Sequence, residues 1–211
     1  MRVVLFDLDG TLQDSESLAT EGHRHGFRAT LGREPTDQEL RGLTGAPVRK
    51  VLAEWFPGEW SRIYAAGVAH YELHASRIRC YDGIADLIAT LDALGHSMGI
   101  VSSKQRRYIL KELEMHGFSD QMRTVVGQED TAQHKPLPEP LLLATRLIGA
   151  PPSDCIYIGD QPTDMLAARA AGMIGIRALW GEAPGTVPQG LMADDVIAHT
   201  PGEVLAFLQT C

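Results

Sequence analysis

Val3-Val4-Leu5-Phe6-Asp7-Leu8-Asp9-Gly10-Thr11-Leu12 is the stretch on which the reading of this chain turns. Four apolar residues, rich in β-branched and aromatic types, specify a buried strand. Two carboxylates two positions apart end it. Side chains at i and i+2 of an extended chain point the same way, so Asp7 and Asp9 are expected together at the mouth of that strand. Gly10 allows a sharp exit from it. Two carboxylates at a dry strand end are costly unless something positive is shared between them. A hard cation such as Mg²⁺ suits them, because it takes oxygen ligands and keeps some of its waters. Alone, Asp9-Gly10 reads as an ordinary turn.

The bulk composition narrows the classes. A chain of 211 residues fits one domain, or a domain with an inserted lobe. With 44% apolar and 22% charged residues it can bury a substantial core. A formal net charge of −8 and a pI near 5.4 argue against a nucleic-acid or anionic-membrane partner. Cys80, Cys155 and Cys211 are odd in number and far apart, with no zinc or redox spacing, which suits a reducing compartment. The first strand follows Met1-Arg2 directly, without the apolar length and cleavage site of a secretory leader. No stretch reaches the ~18 apolar residues of a membrane span. A cytoplasmic protein is expected.

Past Leu12, Asp14-Ser15 reads as a helix N-cap or hinge. From about Glu16 to Arg79 only helical patterns occur. Leu18, His23, Phe27 and Leu31 fall near helical spacing before Gly32, and Thr36-x-x-Glu39 is a capping box. Gly42 to Pro47 is a turn, with Pro47 opening a helix to Trp55. Pro57-Gly58 breaks the pattern, and a long helix is expected from about Trp60 to Arg77. Trp55, Phe56 and Trp60 read as the core of this lobe. His70 and His74, at i and i+4, lack the His-Glu-x-x-His form of a zinc site and read as helix surface.

After Tyr81, strand and helix signals alternate. Ile84, Leu87, Ile88, Leu91 and Leu94 form a helical stripe closed by Gly95. Met98 to Val101 is a short strand ending in Ser102-Ser103-Lys104, with a helix through Ile109, Leu110 and Leu113 to Gly117. Thr124 to Val126 is a strand, His134 to Pro138 an extended loop, and Pro138 opens a helix through Leu147. Cys155 to Ile158 is a strand ending in Gly159-Asp160, followed by a helix from Pro162 to Ala171. Ile174 to Ile176 is a further strand, Gly181 to Gly190 a Gly/Pro-rich loop, and Val204 to Leu208 a terminal helix. Such alternation predicts an α/β fold, a Rossmann-like parallel sheet covered on both faces. The expected core is 1–15 with 80–211, and an all-helical insert spans 16–79. Ligands of such sheets bind beyond the carboxyl ends of the strands. Asp7 and Asp9, Ser102, Lys135, and Asp160 with Asp164 all fall at such ends or in nearby loops.

This set, and above all the Asp-x-Asp-Gly-Thr-Leu string and Gly159-Asp160-x-x-x-Asp164, resembles the haloacid dehalogenase-like hydrolases along essentially the whole chain. The spacing from Thr124 through Lys135-Pro136 to Pro140 resembles the phosphoglycolate phosphatase group and the related bacterial pyrophosphatases. The resemblance implies a phosphatase acting on a small phosphate monoester. Asp7 would attack phosphorus and form an aspartyl-phosphate. Asp9 would protonate the leaving oxygen and then take a proton from water. Mg²⁺ would be held by the carboxylates of Asp7 and Asp160 and the backbone carbonyl of Asp9. Ser102 would bond a phosphoryl oxygen, and Lys135 would supply positive charge. Asp164 would orient Lys135 or a metal-bound water. Backbone N–H groups after Asp7, with Thr11 and Ser103, would complete the phosphate cradle. Arg49 is the insert residue expected to reach substrate, and the insert itself would act as a cap that excludes water.

Each residue also has a plainer reading. Asp164 is a helix-start carboxylate favoured by the macrodipole, Ser103 an N-cap, and Lys135 a solvated loop lysine. Their co-occurrence at successive strand ends favours the site. Ser102-Ser103 replaces a Thr-Asn pair frequent in the phosphoglycolate phosphatase group, which loosens the substrate assignment. The presence of Asp9 argues against the dehalogenase branch. A pyrophosphatase, a sugar phosphomutase on the same Asp7 chemistry, and a non-catalytic phosphate-metabolite sensor are the rival functions. The expected partner is a small phosphorylated metabolite, and the chain is expected as a monomer or homodimer.

Overall fold

The computed structural model describes residues 2–182, 190 and 195–210. Most of the loop expected from Gly181 to Gly190, and Cys211, lie outside the described residues. The chain divides into two compact units, Met1–Gln13 with Cys80–Cys211, and Asp14–Arg79.

The larger unit is built on a six-stranded parallel sheet. Its strands are β1 (Val3–Phe6), β4 (Ser97–Val101), β5 (Met122–Val126), β6 (Cys155–Gly159), β7 (Ile174–Ala178) and β8 (Val196–Ala198), in the spatial order β5-β4-β1-β6-β7-β8. Two short strands, β2 (Gln13–Asp14) and β3 (Arg79–Cys80), pair separately where the chain leaves and rejoins this unit. Five helices complete it: α5 (Ile84–Ala93), α6 (Arg106–His116), α7 (Glu139–Ile148), α8 (Pro162–Ala171) and α9 (Pro201–Thr210).

The period-two alternation of β1 explains the two layers. Val4 and Phe6 face one way, into a core with Ile84, Leu87 and Ile88 of α5, Ile109 and Leu113 of α6, and Val204 of α9. Val3 and Leu5 face the other way, against Leu141 and Ala144 of α7 and Ala167, Ala168 and Ala171 of α8. All four β1 side chains are buried, Phe6 completely. Each contributes roughly 1.5–3 kcal/mol of burial, which fixes β1 at the centre of the sheet.

Register then aligns the strand ends. Phe6 pairs with Ile100 of β4 and with Ile158 of β6, and Val101 pairs with Val126 of β5. The ladder runs one residue further: Asp7 N–H donates to Ile158 O at 2.8 Å, and Ser102 N–H to Val126 O at 3.0 Å. Asp7, Ser102 and Asp160 therefore leave the sheet at one edge because their strands are in step.

The smaller unit is helical: α1 (Glu16–Leu31), α2 (Asp37–Leu43), α3 (Val48–Trp55) and α4 (Trp60–His74), then one 3₁₀ turn at Ala75–Arg77. Gly32 ends α1 in the left-handed conformation, and the Thr36–Glu39 capping box opens α2 with both reciprocal bonds formed. Helices α1 and α4 approach closely through glycine. A Cβ at Gly22 would lie 2.9 Å from Gly67 O, and one at Gly67 equally near Gly22 O. Phe27, Leu43, Leu52 and Ile63 form the unit's core, with Phe56 and Trp60 packed on it.

Several local expectations are corrected. Trp55 is 39% exposed and covers Gly42 instead of joining the core. His70 and His74 lie half-buried on the α4 surface, the His70 ring stacked on His25 of α1 at 5.0 Å and 4.4 Å from His74. Leu94 follows the last residue of α5 and is 58% exposed, so the buried stripe ends at Leu91. Ser103 is not the N-cap of α6, which starts at Arg106 with Gln105 before it. The long helix expected to Arg77 is α at Trp60–His74 and 3₁₀ beyond. Strand β8 carried no clear pattern, being three residues long.

Candidate active site

Asp7 is the first residue beyond β1 and is 7% exposed. Its Oδ1 accepts from Leu8 N–H at 2.7 Å, and its Oδ2 from Lys135 Nζ at 2.8 Å. Burial pushes the Asp7 carboxyl up to about 6; Lys135 opposes this and Asp164 adds to it. Lys135 lies in the loop before α7 and is almost wholly enclosed. It also donates to Asp164 Oδ1 at 2.7 Å and to the Tyr157 hydroxyl at 3.0 Å. Burial alone would lower the Lys135 pKa, but Asp164 and Asp7 outweigh it and hold the ammonium charged.

Asp164, in the first turn of α8, has no exposed surface. Besides Lys135, its Oδ1 accepts from Tyr157 OH at 3.3 Å, and its Oδ2 from Gln161 N–H at 2.9 Å. A Cβ on Gly159 would collide with the Asp164 carboxylate, so this close approach requires glycine. Asp160 is the first residue beyond β6, accepts from Thr11 Oγ1 at 3.2 Å and from Gln161 Nε2, and packs against Gly10. Gly10 has φ +76°, and a Cβ there would lie 2.5 Å from Asp160 Oδ2.

Carboxylate oxygens of Asp7, Asp160 and Asp164 lie within 4.8 Å of one another, the one such group among the described residues. Three carboxylates face one ammonium, an excess of negative charge that a divalent cation would balance. The all-oxygen donor set suits a hard ion. Asp164 has no exposed surface, whereas Asp7 and Asp160 keep 7% and 9%, so Asp7 and Asp160 are the side chains best able to take one. The Asp9 carboxylate is not in this group. It still lies near enough to add to the rise in the Asp7 pKa.

Asp9 instead turns to a second polar cluster. Its Oδ1 accepts from Lys104 Nζ at 2.7 Å and from Gln13 Nε2 at 2.9 Å. Both donors also reach Glu112 Oε2, each at 2.6 Å. Glu112 is buried on α6, which raises its pKa against the pull of Lys104. Ser102 follows β4, is 7% exposed, and accepts Lys104 N–H at 3.4 Å through Oγ. Ser103 lies beside it in the same loop, half-buried. Thr11 is buried, its hydroxyl given to Asp160 and its carbonyl accepting Trp180 Nε1–H at 2.8 Å. Arg49, on α3, stacks over the rings of Trp60 and Tyr64 at 5.7 Å from each.

Sequence reasoning missed Tyr157, Lys104, Glu112 and Gln13. Tyr157 looked like an ordinary strand residue; its single hydroxyl proton is shared between Asp164 Oδ1 and Val101 O, the latter at 2.8 Å. Glu112 did carry a signal. It falls on the same helical face as Ile109, Leu113 and His116, where a carboxylate without a partner would be costly.

A buried nucleophile candidate at the end of a central parallel strand, a lysine bonded to it, and acidic residues from the neighbouring strand end define a hydrolase site of the haloacid dehalogenase type. The family model "Haloacid dehalogenase-like hydrolase" matches residues 4–178. The chain belongs to that family, and it is an enzyme. It is 38% identical over 189 residues to "Phosphoglycolate phosphatase" of Xylella fastidiosa (strain 9a5c), covering 85% of this chain and 81% of the relative. It is 30% identical over 218 residues to "N-acetylmuramic acid 6-phosphate phosphatase" of Pseudomonas aeruginosa, covering 99% and 95%. Among solved structures it is similar to a haloacid dehalogenase-like hydrolase of Streptococcus pneumoniae, with TM-score 0.82, 25% identity and 99% of both chains covered.

Proposed function

We propose that the protein is a Mg²⁺-dependent phosphatase of a small, phosphoglycolate-like phosphate monoester, working through an aspartyl-phosphate on Asp7. The observation that carries this reading is Asp7 itself: buried at the end of the central strand, 2.8 Å from Lys135, with Asp160 and Asp164 oxygens close by. The names of the two relatives support the substrate class.

An Asp7 oxygen attacks phosphorus as the bond to the leaving oxygen breaks, and Asp9 gives that oxygen a proton. Asp9 then takes a proton from water as the water oxygen attacks phosphorus, and the bond to Asp7 breaks to release phosphate. Lys135 neutralises charge on Asp7 and on the phosphoryl oxygens, and Asp164 with Tyr157 fixes its ammonium. Ser102, Ser103 and Thr11 contribute polar contacts around the phosphoryl group. Asp7, Asp160 and the backbone carbonyl of Asp9 would hold Mg²⁺, which when bound supplies positive charge to phosphoryl oxygens. The helical insert, 16–79, serves in this reading as the substrate-selecting cap, with Arg49 its contact to substrate.

The test is phosphate release from 2-phosphoglycolate, pyrophosphate, sugar phosphates and p-nitrophenyl phosphate, with and without Mg²⁺, beside Asp7→Asn. Metal-dependent release that falls to background in the variant is expected. Preference for pyrophosphate would make the protein a pyrophosphatase. Little free phosphate, with turnover accelerated by a sugar bisphosphate, would make it a mutase. No release from any compound by folded protein would leave the sensor.

A further inference from the structure

We propose that Glu112 is a positioning residue for the proton-transfer step, holding Lys104 and Gln13 so that both converge on Asp9. This rests on the phosphatase reading given above. The cluster is a closed ring of four groups. Lys104 and Gln13 are the donors, and Asp9 Oδ1 and Glu112 Oε2 are the acceptors, at 2.6–2.9 Å throughout. Gln13 is completely buried and Glu112 is 3% exposed, so the ring is anchored on its protein side. Lys104 and Asp9 side chains are 14% and 31% exposed, so it opens toward solvent at the reacting end.

The ring extends one step further. Gln13 spends its amide N–H₂ on the two carboxylates, so its Oε1 is the acceptor toward His116 Nε2 at 2.9 Å. That contact fixes which way the amide points. One helical face of α6 thus supplies both Glu112 and His116, and the loop before it supplies Lys104. Without Glu112 the Lys104 ammonium has a flexible four-carbon stem and one carboxylate fewer to hold it. Asp9 would keep its chemistry but lose a fixed carboxylate plane.

A fixed plane matters for both proton transfers of Asp9, and the first can be isolated. As the phosphorus–oxygen bond breaks, the proton passes from Asp9 to the leaving oxygen, and the electron pair left on Asp9 meets two N–H donors already in place. An alkoxide leaving group needs that proton. A nitrophenolate departs without it. A positioning role is therefore separable from a merely structural one by the leaving group.

The experiment compares wild type with Glu112→Leu, using 2-phosphoglycolate and p-nitrophenyl phosphate under identical Mg²⁺ and pH. Glu112→Leu is expected to lower kcat/KM for the alkyl ester by about 10- to 100-fold, part of the ~10²–10⁴-fold that general acid catalysis supplies. The aryl ester kcat/KM should stay within about threefold, because it reports only the steps up to departure of nitrophenolate, which needs no proton, and not the later hydrolysis of the aspartyl-phosphate. Glu112→Gln, which keeps an oxygen acceptor, is expected to recover most of the lost alkyl activity. An equal fall in kcat/KM for both esters, or no fall in either, overturns the proposal. Should Glu112→Leu lack a cooperative thermal transition, the same ratio is read in Glu112→Asp, whose carboxylate is withdrawn by one methylene. A selective alkyl loss there supports the proposal and an unchanged ratio overturns it. A wild type that hydrolyses neither ester overturns the phosphatase reading itself, and this inference with it.

Discussion

Asp164 is the fully buried member of the acidic group, and its contacts are all to protein. With no exposed surface, it accepts from Lys135, Tyr157 and the Gln161 backbone, and Gly159 gives it the room to do so. Gly159→Ala should push the Asp164 carboxylate away from Lys135 and lower phosphate release by at least about tenfold in a protein that still folds, read as kcat beside a thermal melt. Asp164→Ala should be worse for stability, costing about 3–5 kcal/mol, because it removes one partner of a buried ion pair. Urea midpoints at constant m-value would measure that loss. Asp164→Asn, which keeps the shape and an oxygen for Lys135, should cost less.

At the scale of elements, the small unit depends on caps and close helix contacts more than on a large core. Thr36→Ala removes the side-chain half of the capping box on α2 and should cost about 1 kcal/mol in chemical denaturation. His23 of α1 gives this unit a pH dependence. Burial pushes its imidazole down to about 4 from an ordinary 6.5. Below pH 6.5 the unfolded chain takes a proton that the folded chain refuses, so stability falls as pH drops from about 6.5 toward 4. With the residue partly exposed, the loss is of order 2 kcal/mol. His23→Gln should flatten that part of the stability–pH curve relative to wild type, measured as urea midpoints at pH 7 and pH 5.

For the whole molecule, the decisive feature is charge. The chain is acidic overall, and its most buried acidic group lies where the parallel strands end. A cation that binds this group in the folded state alone should stabilise the protein by about 2.7 kcal/mol at one hundred times its dissociation constant. Mg²⁺ is therefore expected to raise the thermal midpoint of wild type, and to leave Asp160→Asn nearly unmoved. The same titration followed by calorimetry would give the affinity without reference to turnover.

The parallel sheet and its covering helices were legible from residue order alone. Apolar runs such as Val3 to Phe6 and Cys155 to Ile158 alternate with helical stripes, and one-dimensional periodicity carries that much. Residues at strand ends, Asp7, Ser102 and Asp160, could be nominated because parallel strands in step bring their ends to one edge. Distances within that edge could not. The bond of Thr11 to Asp160, the bonding of both Asp164 oxygens, and the sharing of Lys104 between Asp9 and Glu112 depend on side chains that lie up to 149 positions apart in Thr11 and Asp160, and 95 in Lys104 and Asp9. Periodicity says which face a residue occupies; only packing decides which partner it meets there, because that choice is made between elements whose registry is set by the folded core.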